Sequence, residues 1–82
     1  MRTQFSGREV AKVLINEWEY ERTGGKGSHV KLRYEHPETG EVRTTTVVIT
    51  DDSIPEGTLR SIADDCGAKD FQRFCEELDR CL

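Results

Sequence analysis

The chain has 82 residues, 34% hydrophobic and 34% charged, with a formal net charge of −4 and a pI of about 5.1. That length closes a single core and leaves no room for a second domain, and the balance is too apolar for a disordered chain. No apolar run approaches the roughly 20 residues that span a bilayer, and no signal-length stretch follows Met1-Arg2-Thr3-Gln4, so a cytoplasmic protein with no membrane partner is expected.

A first helix over residues 7–17 opens on Ser6, followed three residues later by Glu9. This is a capping-box pattern that satisfies amides left open in the first turn. Phe5 and Val10 fit a hydrophobic staple, and Val10, Val13 and Leu14 recur at helical spacing, so one face should pack on a sheet. From Trp18 the period changes to two: Trp18, Tyr20 and Arg22 alternate with Glu19, Glu21 and Thr23, as in a strand with one wet face. Gly24-Gly25-Lys26-Gly27 then reads as a turn. The second strand sends Val30, Leu32 and Tyr34 to the core and His29, Lys31 and Arg33 to the opposite face, roughly 7 Å apart at two-residue steps. His36-Pro37-Glu38-Thr39-Gly40 makes the next turn, and the Thr- and Val-rich stretch Val42 to Ile49 a third strand.

Asp51-Asp52-Ser53 closes the sheet, and Pro55 suits the opening turn of a second helix whose apolar positions are Leu59, Ile62, Ala63 and Cys66. Gly67 ends that helix as a cap. An additional helix over about 69–81 carries Phe71, Phe74, Cys75, Leu78 and Leu82 on one stripe, with Arg73, Glu76, Glu77 and Arg80 facing away. The expected class is α+β, in the order α-β-β-β-α. Three antiparallel strands are backed on one face by helices, with one extra C-terminal helix. Cys66, Cys75 and Cys81 fit no Cys-x-x-Cys pattern, so they read as reduced thiols, Cys66 and Cys75 as small core residues, with zinc binding or redox sensing as the alternative.

Residues 1–49 carry eight Lys/Arg against seven Asp/Glu, and residues 50–82 four against nine. An acidic total disfavours strong nonspecific nucleic-acid binding, which rests on several phosphate contacts. Arg22, Lys26, Lys31 and Arg33 nevertheless bracket His29 with no acid between Glu21 and Glu35. RNA is cleavable by its own 2′-hydroxyl, so an enzyme must supply proton transfer and charge stabilisation. His29 suits either proton role, because histidine titrates near neutrality. Lys26, Lys31 and Arg33 suit the phosphate, amides freed by Gly25 and Gly27 suit an anion nest, and Ser28 suits orientation of the ring or a phosphate contact. No second histidine or carboxylate is placed for a nucleophilic triad.

Gly27-Ser28-His29 at the head of the second strand, Arg22 upstream, the His36 to Gly40 turn, and Ile54-Pro55-Glu56-Gly57-Thr58-Leu59-Arg60-Ser61-Ile62 resemble, in that order, the HicA (YcfA-like) family of toxins. The resemblance covers residues 6–67. It implies a fold like a double-stranded-RNA-binding domain and a ribonuclease that cuts messenger RNA without a metal or cofactor. It also implies silencing by a HicB antitoxin that covers the active face. His29 matches the family's catalytic histidine, and Gly27 and Ser28 match the two motif residues before it.

Plainer readings stand beside these. His29 next to glycine and the basic island also suit a solvated strand face, His36 beside Pro37 a surface turn, and Arg60 and Ser61 a helix surface. Trp18 and Tyr20 read as core, with base stacking as the alternative. Two other functions compete with the nuclease. One is a noncatalytic RNA-binding or regulatory derivative of the fold; the other is an interaction module that forms a homo-oligomer through the C-terminal helix.

Overall fold

The computed structural model describes residues 2–82. Helix α1 (Gly7–Asn16) starts at a complete capping box: the Glu9 amide donates to the Ser6 hydroxyl at 3.1 Å, and the Ser6 amide donates to the Glu9 carboxylate at 2.9 Å. Arg2 also donates to both Glu9 oxygens, and with the Ser6 amide it holds the Glu9 carboxyl below the usual range. Three antiparallel strands follow, β1 (Glu21–Lys26), β2 (His29–Glu35) and β3 (Val42–Val48), in the spatial order β1-β2-β3. Helices α2 (Glu56–Asp65) and α3 (Phe71–Cys81) complete the chain. The architecture is α+β in the order α-β-β-β-α with an added helix, as in a double-stranded-RNA-binding domain.

One strand differs from its sequence pattern. Trp18 and Tyr20 lie before β1, because Glu19 takes a left-handed conformation (φ 63°) that redirects the chain after α1. Tyr20 is buried and Trp18 half-buried, both at the core. Gly24 and Gly25, expected in the turn, belong to β1, which carries an irregularity at Thr23; the turn itself shrinks to Gly27-Ser28. Alternation over Trp18 to Thr23 therefore reflects a wrapped connector followed by a strand that no helix covers, every residue of β1 being exposed.

Strand β2 buries Val30 and Leu32 (5% and 1% exposed) and keeps His29, Lys31 and Arg33 outside. Helices α1 and α2 both pack on β3, and α3 packs on α1 and α2. Leu14, Leu59 and Leu78, one from each helix, are fully buried with Val47 of β3. Most of the expected apolar stripe of α3 is spent inside the chain: Phe74, Cys75 and Leu78 are buried, Phe71 lies half-buried with the Arg60 guanidinium 4.2 Å from its ring centre, and Leu82 alone of the stripe is exposed. Phe74, Cys75 and Leu78 are therefore not available to a homo-oligomer through this helix, whereas Leu82 is. Arg60 also pairs with Glu56, and the Ser61 hydroxyl donates to the Gly57 carbonyl, as suits a helix surface. Among the described residues no helix is long and apolar enough to cross a membrane.

Helix α1 is pressed against β3 at Gly7, where a Cβ would overlap the Val48 carbonyl oxygen and sit 2.9 Å from its carbon. Helix propensity alone makes Gly→Ala favourable by about 1 kcal/mol. The clash with fixed backbone outweighs it, so Gly7→Ala should lower unfolding stability by roughly 1–3 kcal/mol in a denaturant titration. A stability gain would contradict this packing.

Candidate active site

The candidate residues sit where a two-residue hairpin turn feeds β2. Gly27 has φ 64°, the positive value demanded at the first central position of a Gly-X turn of this kind. Lys26 pairs with His29 across the turn, and His29 pairs with Val48 on its other side. One ladder row therefore reads Lys26, His29, Val48. The next row on the same face is Gly24, Lys31, Thr46, and the third is Glu21, Arg33, Thr44. Neighbours within a row lie about 4.5–5.5 Å apart at Cβ, and rows about 7 Å apart.

This face holds an imidazole flanked by Lys26, one step from Lys31, and all three side chains are exposed. Among the described residues neither lysine is in an ion pair, and no carboxylate pairs with His29. Gly24 opposite Lys31 leaves open space where a side chain would otherwise stand. Arg33 is placed differently from its two companions: it donates to Glu35 at 2.8 Å and faces Glu21 across the ladder. The basic island is thus graded, with free lysines around His29 and a compensated arginine at the far end. Such an exposed pair is worth at most about 1 kcal/mol, but it leaves Arg33 less available to an anion than the two unpaired lysines. The Ser28 carbonyl accepts the Ile49 amide at 2.8 Å, which ties the turn to the end of β3.

A cation that the sequence reading did not connect with this end arrives from α1. The Arg8 amide donates to the Thr50 carbonyl at 3.0 Å, two residues beyond the His29 partner Val48, and its guanidinium donates to Asp51 at 2.8 Å. The two partners are 43 positions apart, and nothing in local periodicity signals their meeting. Asp51 is thereby paired with a cation.

Among the described residues no cluster of His, Cys, Asp and Glu is arranged to hold a metal ion. The three cysteines are free thiols; burial raises Cys66 and Cys75 above the usual range, which leaves them protonated and weakly reactive.

The family described as HicA toxin of bacterial toxin-antitoxin matches residues 7–68. The chain belongs to the HicA toxin family. The match spans α1 to the end of α2, including Gly27-Ser28-His29, and stops before α3. Comparison with curated proteins and with solved structures gave no significant match. In this HicA chain the expected candidates Lys26, Gly27, Ser28, His29 and Lys31 share one corner of the sheet; Arg33 shares its face but is paired.

Gly25 sets the position of His29. It has φ 132°, and a Cβ there would overlap the His29 carbonyl oxygen and lie 2.9 Å from the Val30 Cα. Gly25→Ala should therefore part β1 from β2, speeding amide exchange in the 26–31 segment by about tenfold or more while Leu14 and Leu59 keep their protection. Unchanged exchange at this hairpin would show that the close approach is not needed.

Proposed function

We propose that this HicA toxin is a metal-independent endoribonuclease, an mRNA interferase, in which His29 carries a proton during cleavage. The observation that supports this most is the exposed row of Lys26 and His29 with Lys31 one step away, on a face left open by the helices. In the reaction the 2′-oxygen attacks phosphorus, the bond to the 5′-oxygen breaks, and a 2′,3′-cyclic phosphate and a free 5′-hydroxyl result. One proton leaves the 2′-hydroxyl and one arrives at the departing 5′-oxygen. Incoming and leaving oxygens lie on opposite sides of phosphorus, so one imidazole serves one of these transfers and water serves the other. The ammonium groups of Lys26 and Lys31 neutralise charge that builds on the non-bridging oxygens, and Gly27 lets the backbone at the turn approach the phosphate. Ser28 and Arg33 extend the contact along the strand.

The same open face is the surface that a HicB-type antitoxin would cover, since blocking the His29 row removes both the proton carrier and its cations. The cytoplasm, where messenger RNA lies, is the compartment this reading assigns.

His29→Ala should lower cleavage of a defined RNA by at least about 10²-fold, the usual worth of a positioned acid or base. Its melting temperature should stay put, because the ring is exposed. Lys26→Ala and Lys31→Ala should weaken RNA binding and each reduce the salt slope by about one, whereas Arg33→Ala, already compensated by Glu35, should do less. Full cleavage by the His29 variant would reject the assignment.

A further inference from the structure

At the other end of the sheet, on the helical side, aromatic residues that the nuclease reading leaves unused line a cleft of about 340 Å³. Trp18 meets Phe74 of α3 edge-on with ring centres 5.7 Å apart. Tyr34 stands 5.5 Å from Tyr20 and 6.4 Å from His36, the last at 87°. Phe74 lies beyond residue 68, so the wall it provides is outside the stretch matched by the family, whose last residue, Ala68, also lines the cleft. Helix α3 closes the cleft.

The mouth carries polar groups of both kinds. His36 Nδ1 accepts the amides of Glu38 and Thr39 at 3.1 and 3.2 Å, which fixes the proton on Nε2 and makes that atom a donor. Arg43 pairs with Glu41, and its guanidinium occupies the space over Gly67 that a Cβ would fill. At the floor, burial and the neighbouring Cys66 thiol keep the Tyr20 hydroxyl protonated by raising it above its ordinary range.

These features restrict the occupant. The Arg43 charge is already met by Glu41, so a bare phosphate gains little. An aliphatic group would leave the donors and acceptors of the mouth unmatched. The volume lies at the small end of ligand sites, which run from about 300 to 1,000 Å³, and it suits one ring system. A neutral planar heterocycle with hydrogen-bonding edges meets the rings and the mouth together, as unpaired bases do when they stack on Phe, Tyr, Trp and His.

We propose that this cleft is a binding site for a single nucleobase, separate from the His29 row. Tyr34 is five residues from His29 along β2, a rise of about 17 Å. The site does not depend on the chain being a nuclease. The base belongs either to a free nucleoside or to a single-stranded RNA.

Trp18, the only tryptophan in the chain, reports on the cleft by its fluorescence. The intact protein is titrated with adenosine, guanosine, cytidine and uridine, with a 2′-O-methylated RNA hexamer that resists cleavage, and with N-acetylphenylalaninamide. Saturable quenching by at least one nucleoside is expected, about tenfold weaker in Tyr34→Leu, weakened also in His36→Ala, and unchanged in His29→Ala. His36→Ala keeps the test alive if Tyr34→Leu fails to fold. A hexamer that binds about tenfold tighter than the best nucleoside assigns the base to RNA; equal affinity assigns it to a free nucleoside. Absence of nucleoside and hexamer quenching, quenching unaffected by both cleft variants, or saturation by N-acetylphenylalaninamide alone would overturn the proposal. Cleavage lost in His29→Ala with quenching intact would separate the two sites.

Discussion

The register of β2 is the constraint on which the rest of this molecule depends. A strand alternates its side chains, so a slip of one residue would carry His29 and Lys31 into the core and expel Val30 and Leu32. Burial of those two apolar residues opposes the slip, at about 1.5–3 kcal/mol for each. Two glycines then fix the His29 row from both sides: Gly25 lets β1 lie against the His29 carbonyl, and Gly7 lets α1 lie against the carbonyl of its partner Val48. The imidazole itself makes no packing contribution to speak of. Its position is set by neighbours that have no chemistry of their own.

The same sheet explains how an acidic chain offers a basic surface. Acids in residues 50–82 outnumber bases nine to four, and most lie on α2, α3 and their connectors, on the side of the sheet away from His29. The outer face carries Lys26 and Lys31 at one end and the compensated Arg33 at the other. A phosphate approaching this protein thus meets a local field that the net charge of −4 conceals. Helix α3 adds Phe74, Cys75 and Leu78 to a core of a size that typically nets only about 3–5 kcal/mol, so it belongs to the folding unit although the family match ends before it.

Much of this was legible in the sequence, for identifiable physical reasons. Capping and apolar spacing are local signals, and Ser6, Glu9, Val10 and Leu14 announce α1 without help from the fold. The alternation of His29 to Tyr34 is equally local and gave the outward placement of His29, Lys31 and Arg33. The residue pattern misplaces the first strand because Gly24 and Gly25, usually turn residues, serve here as strand residues; the close approach that requires Gly25 involves backbone four and five positions away. Glu19 at φ 63° ends the apparent alternation of Trp18 and Tyr20, and no residue type marks it. Arg8 with Asp51 and the ring cluster of Trp18, Tyr34, His36 and Phe74 are products of tertiary packing. Composition and periodicity carry no record of them.

The most direct test of the account is a map of where uncleavable RNA rests. Adding a 2′-O-methylated single strand to isotope-labelled protein should shift the amides of residues 26–31 and of their β3 partners 46–48, with Lys26 and His29 among the largest changes. Shifts confined to the helical layer, with the hairpin and the outer sheet face unmoved, would contradict it.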